Sequence, residues 1–308
     1  MKYTVLKKTD IRISAIGLGT NAVGGHNLYD GLEEKDGREM VRTAIGHGVT
    51  FFDTADSYGH GRSEELVGEA LKDYGRSQYV LATKGGSDWR TKTKNISPAY
   101  LKKALDDSLS RLGLEYVDLY YLHHMDKTTP VGEAVAELVR QKEAGKIRAI
   151  GVSNVTLDEL KEANAHGDVN AVQLAYHMLD RSIEKEILPY CVENDISIVA
   201  YGPLAFGLLG GTYSSDFRLA PGDFRNRLPL FQHGTFERAI GTAEALKKVA
   251  SEKGTTLPNL ALAWLLAQPG VDAVIPGGKR PEQVTGNIPA ADLVLTEEDL
   301  AKIAVILD

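Results

Sequence analysis

The chain has 308 residues, 43% hydrophobic and 25% charged, with a formal net charge of −7 and a single cysteine, Cys191. This composition excludes disordered and fibrous chains, and the acidic balance argues against nucleic-acid or membrane-surface binding, which need a basic face. One cysteine excludes an internal disulfide and a cysteine-built zinc site; the N-terminal segment lacks the apolar core of a secretory signal, and the longest apolar run, Leu260–Ala267, is far too short to span a membrane, so a soluble cytoplasmic protein is expected.

Tyr3–Leu6 and Ile11–Ser14 read as a small hairpin around Lys7–Asp10. Short apolar runs then read as buried strands: Ala15–Leu18, Thr50–Asp53, Tyr79–Thr83, Val117–Leu122, Ala149–Val152, Ala171–Leu174, Ser197–Ala200 and Val271–Ile275. Amphipathic stretches separate them. Ser63 opens one helix, with Glu64 and Glu65 in the first turn, where the helix dipole favours acids. Ser97-Pro98 opens another; Leu101, Leu105, Leu109 and Leu112 share its face and Gly113 stops it. Thr156 with Glu159, and Thr296 with Asp299, form capping boxes. From Gly202 to His233 the rhythm breaks into 32 residues rich in Gly, Pro, Asp and Arg, and loops of that length are usually functional. Eight strands alternating with helices predict an α/β fold, a (β/α)8 TIM barrel over residues 1–308 as one domain, rather than a doubly wound open sheet. The hairpin precedes the barrel and the long loop follows strand seven.

In such a barrel the chemistry sits where strands end. Asp53, Lys84 and His123 close three successive strands, and Tyr58 follows shortly after Asp53. Asp53 and Lys84 can pair across neighbouring strands. A lysine beside Tyr58 stabilises its phenolate; moving a phenol pKa from ~10 towards ~8 takes about 3 kcal/mol. Tyr58 then acts as a proton donor near neutral pH, and His123 hydrogen-bonds a carbonyl oxygen. The adjacent His123–His124 pair lacks the partner cluster of a metal site, so no metal is expected. Gly17-Leu-Gly19-Thr-Asn-Ala22 fits a dinucleotide glycine pattern but opens no helix, and Gly151-Val-Ser153 lacks the second glycine of a nucleophile elbow.

The segments Gly17-Leu-Gly-Thr, Phe52-Asp53-Thr-Ala-Asp-Ser-Tyr58-Gly, Gly61–Leu71, Ala82-Thr-Lys84, Tyr116–His123, Gly145–Asn154 and Ile275-Pro-Gly-Gly-Lys279 together resemble a bacterial aldo-keto reductase over essentially the whole chain. Within the family the chain is most similar to the subgroup of inositol-operon-associated and general-stress reductases. The resemblance implies a (β/α)8 barrel that reversibly reduces an aldehyde or ketone with NADPH, NADH being a possible substitute. It makes Asp53, Tyr58, Lys84 and His123 the catalytic tetrad. It assigns the nicotinamide carboxamide to Ser153, Asn154 and Gln173, stacking on its ring to Tyr201, the pyrophosphate to the loop through Leu204, Gly207 and Leu209, and the adenosine end to Gly277, Lys279, Gln283 and Asn287. Trp89, His124, Met125 and Phe206 are the weaker candidates for the substrate pocket. Two positions depart from the family's habit: Gly202 stands where serine is common, and Gly286 where an acid is common.

The expected function is therefore NADP-dependent reduction of a small-molecule carbonyl substrate by a monomer or weak homo-oligomer, with no nucleic-acid or membrane partner. The competing reading is a cofactor-binding regulatory or redox-sensing barrel subunit with little turnover.

Overall fold

A computed structural model describes residues 1–308, apart from the side chain of Phe224. In chain order the elements are a hairpin, β1 (Tyr3–Val5) and β2 (Arg12–Ser14), then β3 (Leu18–Gly19), α1 (Glu34–Gly46), β4 (Phe51–Asp53), α2 (Arg62–Leu71) and β5 (Val80–Gly85). A second hairpin, β6 (Ser87–Asp88) and β7 (Thr93–Lys94), precedes α3 (Pro98–Leu112), β8 (Val117–Leu122), α4 (Val131–Glu143), β9 (Ile147–Ser153), α5 (Leu157–Ala163) and β10 (Val169–Ala175). The chain closes with α6 (Ile187–Glu193), β11 (Ser197–Tyr201), α7 (Thr235–Glu252), α8 (Leu257–Leu266), β12 (Val271–Ile275), α9 (Pro281–Asn287) and α10 (Glu297–Leu307).

Strands β4, β5 and β8 are buried throughout, as apolar runs in a sheet covered on both faces require. Eight strands run parallel in the order β3-β4-β5-β8-β9-β10-β11-β12. Ile16 and Gly19 bridge in parallel to Val274 and Gly277, which closes the ring. This is the predicted (β/α)8 barrel, with its N-terminal hairpin and the long loop after the seventh barrel strand. That loop carries short 3-10 turns at Ala205–Gly210, Phe224–Arg227 and Pro229–Phe231. No helix among the described residues is long and apolar enough to cross a membrane.

Two apolar layers form. Phe51, Val80, Ala82, Leu119, Tyr121, Ala149, Ala171, Val199, Ala273 and Ile275 fill the barrel, and Leu6, Ile11 and Ile13 of the hairpin segment join them. A larger layer lies between the strands and the surrounding helices.

Local expectations fared unevenly. Both capping boxes form: Glu159 N donates to Thr156 Oγ1 at 3.3 Å, and Asp299 N donates to Thr296 Oγ1 at 3.2 Å. Helix α3 ends at Gly113 in the left-handed region, φ 68°. Ser97 takes the N-cap position of α3 with Pro98 after it, but its hydroxyl makes no capping bond, and Ser63 is not a cap. The Ser63 hydroxyl donates to Thr20 O at 3.0 Å, tying the first turn of α2 to the segment after β3 inside the protein, and Gly61 takes the cap position of α2. The Ser97 hydroxyl donates to Asn95 Oδ1 at 2.8 Å. Each hydroxyl thus donates to a nearby acceptor, and neither accepts from a helix N–H. The first barrel strand is Leu18–Gly19 rather than Ala15–Leu18.

Candidate active site

Side chains alternate along a strand, so inward positions recur every second residue. Stepping outward by two from Phe51, Ala82, Tyr121, Gly151, Ala171 and Val199 reaches Asp53, Lys84, His123, Ser153, Gln173 and Tyr201. One periodicity therefore lifts six polar groups into a layer above the apolar plug, at the carboxyl ends of the strands, where enzymes of this fold work. Gly151 serves packing: the Tyr121 ring occupies the place a Cβ would take.

Lys84 Nζ donates to Asp53 Oδ1 at 2.5 Å and to Thr54 O at 2.8 Å, and Gln173 Nε2 donates to Asp53 Oδ2 at 2.7 Å. All three side chains are buried. The Lys84 ammonium stands 5.1 Å from the centre of the Tyr58 ring. Tyr58 enters a tight turn in which Gly59 and His60 take φ of 59° and 57°. Asn27 braces that turn, accepting from Gly59 N at 2.7 Å and donating to Ser57 O at 3.2 Å. The His123 ring meets Tyr58 edge-on, with centres 5.9 Å apart and planes at 83°. The four residues predicted as a set thus share one spot.

Their electrostatics differ from expectation at one point. Burial works against the Lys84 ammonium, but Asp53 and Tyr58 beside it hold its pKa above the usual lysine value. Burial also pushes the Tyr58 phenol up, by more than Lys84 pulls it down, so the expected lowering of Tyr58 is not met in this structure. The physical reason is first the burial of the phenol, to which the Asp53 carboxylate adds. His123 is driven well below the ordinary histidine range by burial and then by Lys84, His124 and Lys94. It is a neutral ring at physiological pH. His124 stacks on it at 4.5 Å and is lowered to about 4, first by burial and then by Lys94 and Lys84.

Beside this cluster lies a group of amide and hydroxyl functions. Asn154, at φ 55°, donates through Nδ2 to His123 O and to Ser153 Oγ, both at 3.0 Å. Tyr201 OH donates to Asn154 Oδ1 at 2.8 Å, and Ser153 Oγ donates to Gln173 O at 2.9 Å. Ser153, Asn154, Gln173 and Tyr201 therefore meet, offering a donor, an acceptor and a half-buried ring face, which suits a carboxamide on a flat ring. In the long loop, Gly207 N and Leu209 N both donate to Leu204 O, at 3.0 and 3.1 Å, and the Leu209 side chain is buried. Lys279 and Gln283 are exposed, with Lys279 N donating to Gln283 Oε1 at 2.7 Å. Asn287 is buried beside Gly277. Of the pocket candidates, Trp89 stacks on His60 at 4.9 Å, Phe206 lies beneath Gly202, and Met125 is buried in the outer core.

Sequence reading missed a set of residues around Lys279. Asn21 Nδ2 donates to Tyr29 OH at 3.1 Å, and Lys279 Nζ lies 4.7 Å above the Tyr29 ring. Arg225 donates to Phe206 O at 3.1 Å and to Tyr213 OH at 2.6 Å, and pairs with Asp223 at 2.6 Å. These two cations suit the phosphates of a dinucleotide. The available signal was weak: an aromatic in a glycine-rich turn and an Asp-x-Arg spacing.

Residues 15–308 match the model of the aldo/keto reductase family. The chain is 37% identical over 315 residues to an NADH-specific methylglyoxal reductase of Escherichia coli (strain K12), covering 97% of this chain and 96% of that one. Its structure is similar to that of a glycerol dehydrogenase from Gluconobacter oxydans, with a TM-score of 0.91, 32% identity and coverage of 99% and 94%. It is also similar to an aldo/keto reductase from Klebsiella pneumoniae in complex with NADP and acetate, with a TM-score of 0.76, 32% identity and coverage of 100% and 96%.

Proposed function

This chain belongs to the aldo/keto reductase family, and on that premise we propose that it reduces aldehydes or ketones to alcohols with NADPH, Tyr58 giving the proton. The observation that carries the reading is the convergence of Asp53, Lys84, Tyr58 and His123 at one strand-end site. When bound, the dinucleotide supplies hydride to the carbonyl carbon. The protein's part is to fix the geometry and deliver one proton. His123, neutral, hydrogen-bonds the carbonyl oxygen, and Tyr58 passes its proton to that oxygen as negative charge builds there. Lys84 keeps a positive charge beside the phenol, and Asp53 keeps Lys84 protonated and pointed. Ser153, Asn154 and Gln173 hold the carboxamide, and Tyr201 sets the plane of the ring. Leu204, Gly207 and Leu209 lie along the pyrophosphate, and Gly277, Lys279, Gln283 and Asn287 lie along the adenosine. Trp89, His124 and Phe206 border the substrate.

NADPH is preferred in this reading because Lys279 and Arg225 place cations near the nucleotide end. NADH is the second choice, favoured by Gly286 and by the NADH-specific relative. The complete tetrad favours an enzyme over a sensing subunit, with residues 1–308 acting as one catalytic domain, as a monomer or weak homo-oligomer. The test is cofactor oxidation by the purified protein, NADPH beside NADH, with a panel of aldehydes, dicarbonyls and sugars. Turnover that Tyr58→Phe abolishes is the expected result. Tight cofactor binding without turnover on any carbonyl would instead select the sensing subunit.

A further inference from the structure

The hairpin β6–β7 stands beside the catalytic histidine. It pairs Ser87 with Lys94 and Asp88 with Thr93. Its base is fastened to the mouth of the barrel: Asn95 N donates to Gly86 O at 3.1 Å. Gly86, at φ 115°, packs so closely that a Cβ there would stand 3.3 Å from His124 O and 3.5 Å from His123 N. Lys94 therefore occupies the first rung outward from the His123–His124 pair.

This hairpin is a basic spot on an acidic protein. Arg90, Lys92 and Lys94 fall within five residues of one another, in a chain of net charge −7. The carboxylates on the flanking segments are turned to backbone amides. Asp88 accepts from Arg90 N, and Asp126 accepts from the N–H groups of Ile96, Thr128 and Thr129. Arg90 lies 4.5 Å over the Trp89 ring and reaches Asp107 at 3.7 Å. Lys94 is exposed and has no ion pair among the described residues. Its charge nevertheless bears on both histidine rings. Trp89 stacked on His60 supplies an aromatic face along the same mouth, two residues from Tyr58.

We propose that this cleft selects carbonyl compounds carrying an anionic group, a carboxylate or a phosphate, which Lys94 receives while the carbonyl reaches Tyr58 and His123. The inference rests on the reductase reading above. An unpaired ammonium on the rim of a partly desolvated cleft concentrates anions there, while the rest of this acidic surface repels them. Salt screens the effect, because Lys94 is exposed.

The test compares kcat/KM with NADPH for two matched pairs: 4-carboxybenzaldehyde with benzaldehyde, and glyceraldehyde 3-phosphate with glyceraldehyde. At low salt the wild type favours the charged member of one pair by about tenfold, and the pair that responds tells carboxylate from phosphate. The preference shrinks towards unity near about 0.5 M salt and lies in KM rather than kcat. Lys94→Glu erases the ratio and Lys94→Arg keeps it. Equal values within both pairs, a preference indifferent to salt, or a parallel loss of both members in Lys94→Glu would overturn the inference. Benzaldehyde turnover without charge preference leaves the reductase reading standing; no oxidation of NADPH or NADH with any of the four overturns this inference, and the wider carbonyl panel then decides the reductase reading.

Discussion

The proposed carbonyl end and the proposed nucleotide end of the site are built in opposite ways. Asp53, Lys84 and Gln173 are buried side chains on barrel strands, and the Asp53 carboxylate is held on both oxygens. Lys279 and Arg225 stand on loops and Gln283 on the short helix α9, and Lys279 and Gln283 are exposed. Strand side chains take their places from the ladder, whereas loop side chains take theirs from partners they can exchange. Lys279, for example, rests on the Tyr29 ring. The difference teaches that this scaffold fixes the proposed reacting groups in advance and leaves the proposed nucleotide contacts adaptable.

Substitutions should therefore hurt far more at the carbonyl end. Tyr58→Phe should lower kcat by at least about 10³-fold while NADPH still binds with near-normal affinity, measured by turnover and fluorescence titration. Comparable loss of binding would mean that the two ends are not separate. Lys84→Met leaves the Asp53 carboxylate buried without its cation and should cost about 3–5 kcal/mol of stability in a denaturant titration. Adding Asp53→Asn should recover part of that cost. A stability loss no larger than that of Lys279→Ala would erase the contrast.

The pH profile tests the same site without mutation. The Tyr58 pKa lies above its ordinary value. The phenol thus keeps its proton through neutral pH, so reduction should be flat from about pH 6 to 9, whereas alcohol oxidation, which needs the phenolate, should climb with pH past about 10. An oxidation plateau near neutrality would show that ligand binding lowers the phenol after all. Smaller effects belong to the nucleotide end. Arg225→Ala breaks the contacts to Phe206 O, Tyr213 and Asp223 and should speed NADPH release about tenfold in stopped-flow traces, with little change in melting temperature. Lys279→Ala should weaken NADPH by about fivefold and NADH much less, because one exposed charge contact is worth about 1 kcal/mol.

Legibility in the sequence follows the same divide. Asp53, Lys84 and His123 could be read from strand ends because a strand's alternation is local and regular. Gln173 was placed on its strand, but its bond to Asp53 depends on a partner 120 residues away. The hairpin β6–β7 escaped because two rungs of polar residues leave no hydrophobic alternation. Ser63 was misread as a helix start because folding puts Gly61 at the cap of α2 and turns the Ser63 hydroxyl to Thr20 O, a partner 43 residues away. The sign of the Tyr58 shift was misjudged because the sequence shows Lys84 as a charge and hides how deeply folding buries the Tyr58 phenol. Tyr29 and Arg225 were invisible because only folding brings their loops together over one mouth.

The interior plug has a consequence for traffic. With Leu6, Ile11 and Ile13 sealing the far end and apolar side chains filling the middle, the barrel is a cul-de-sac. Whatever enters must leave by the doorway it came through, and the Gly202–His233 loop begins at that doorway, directly after Tyr201. A full catalytic cycle can run no faster than the doorway clears, so variants that leave every reacting atom in place can still set the pace of the whole enzyme.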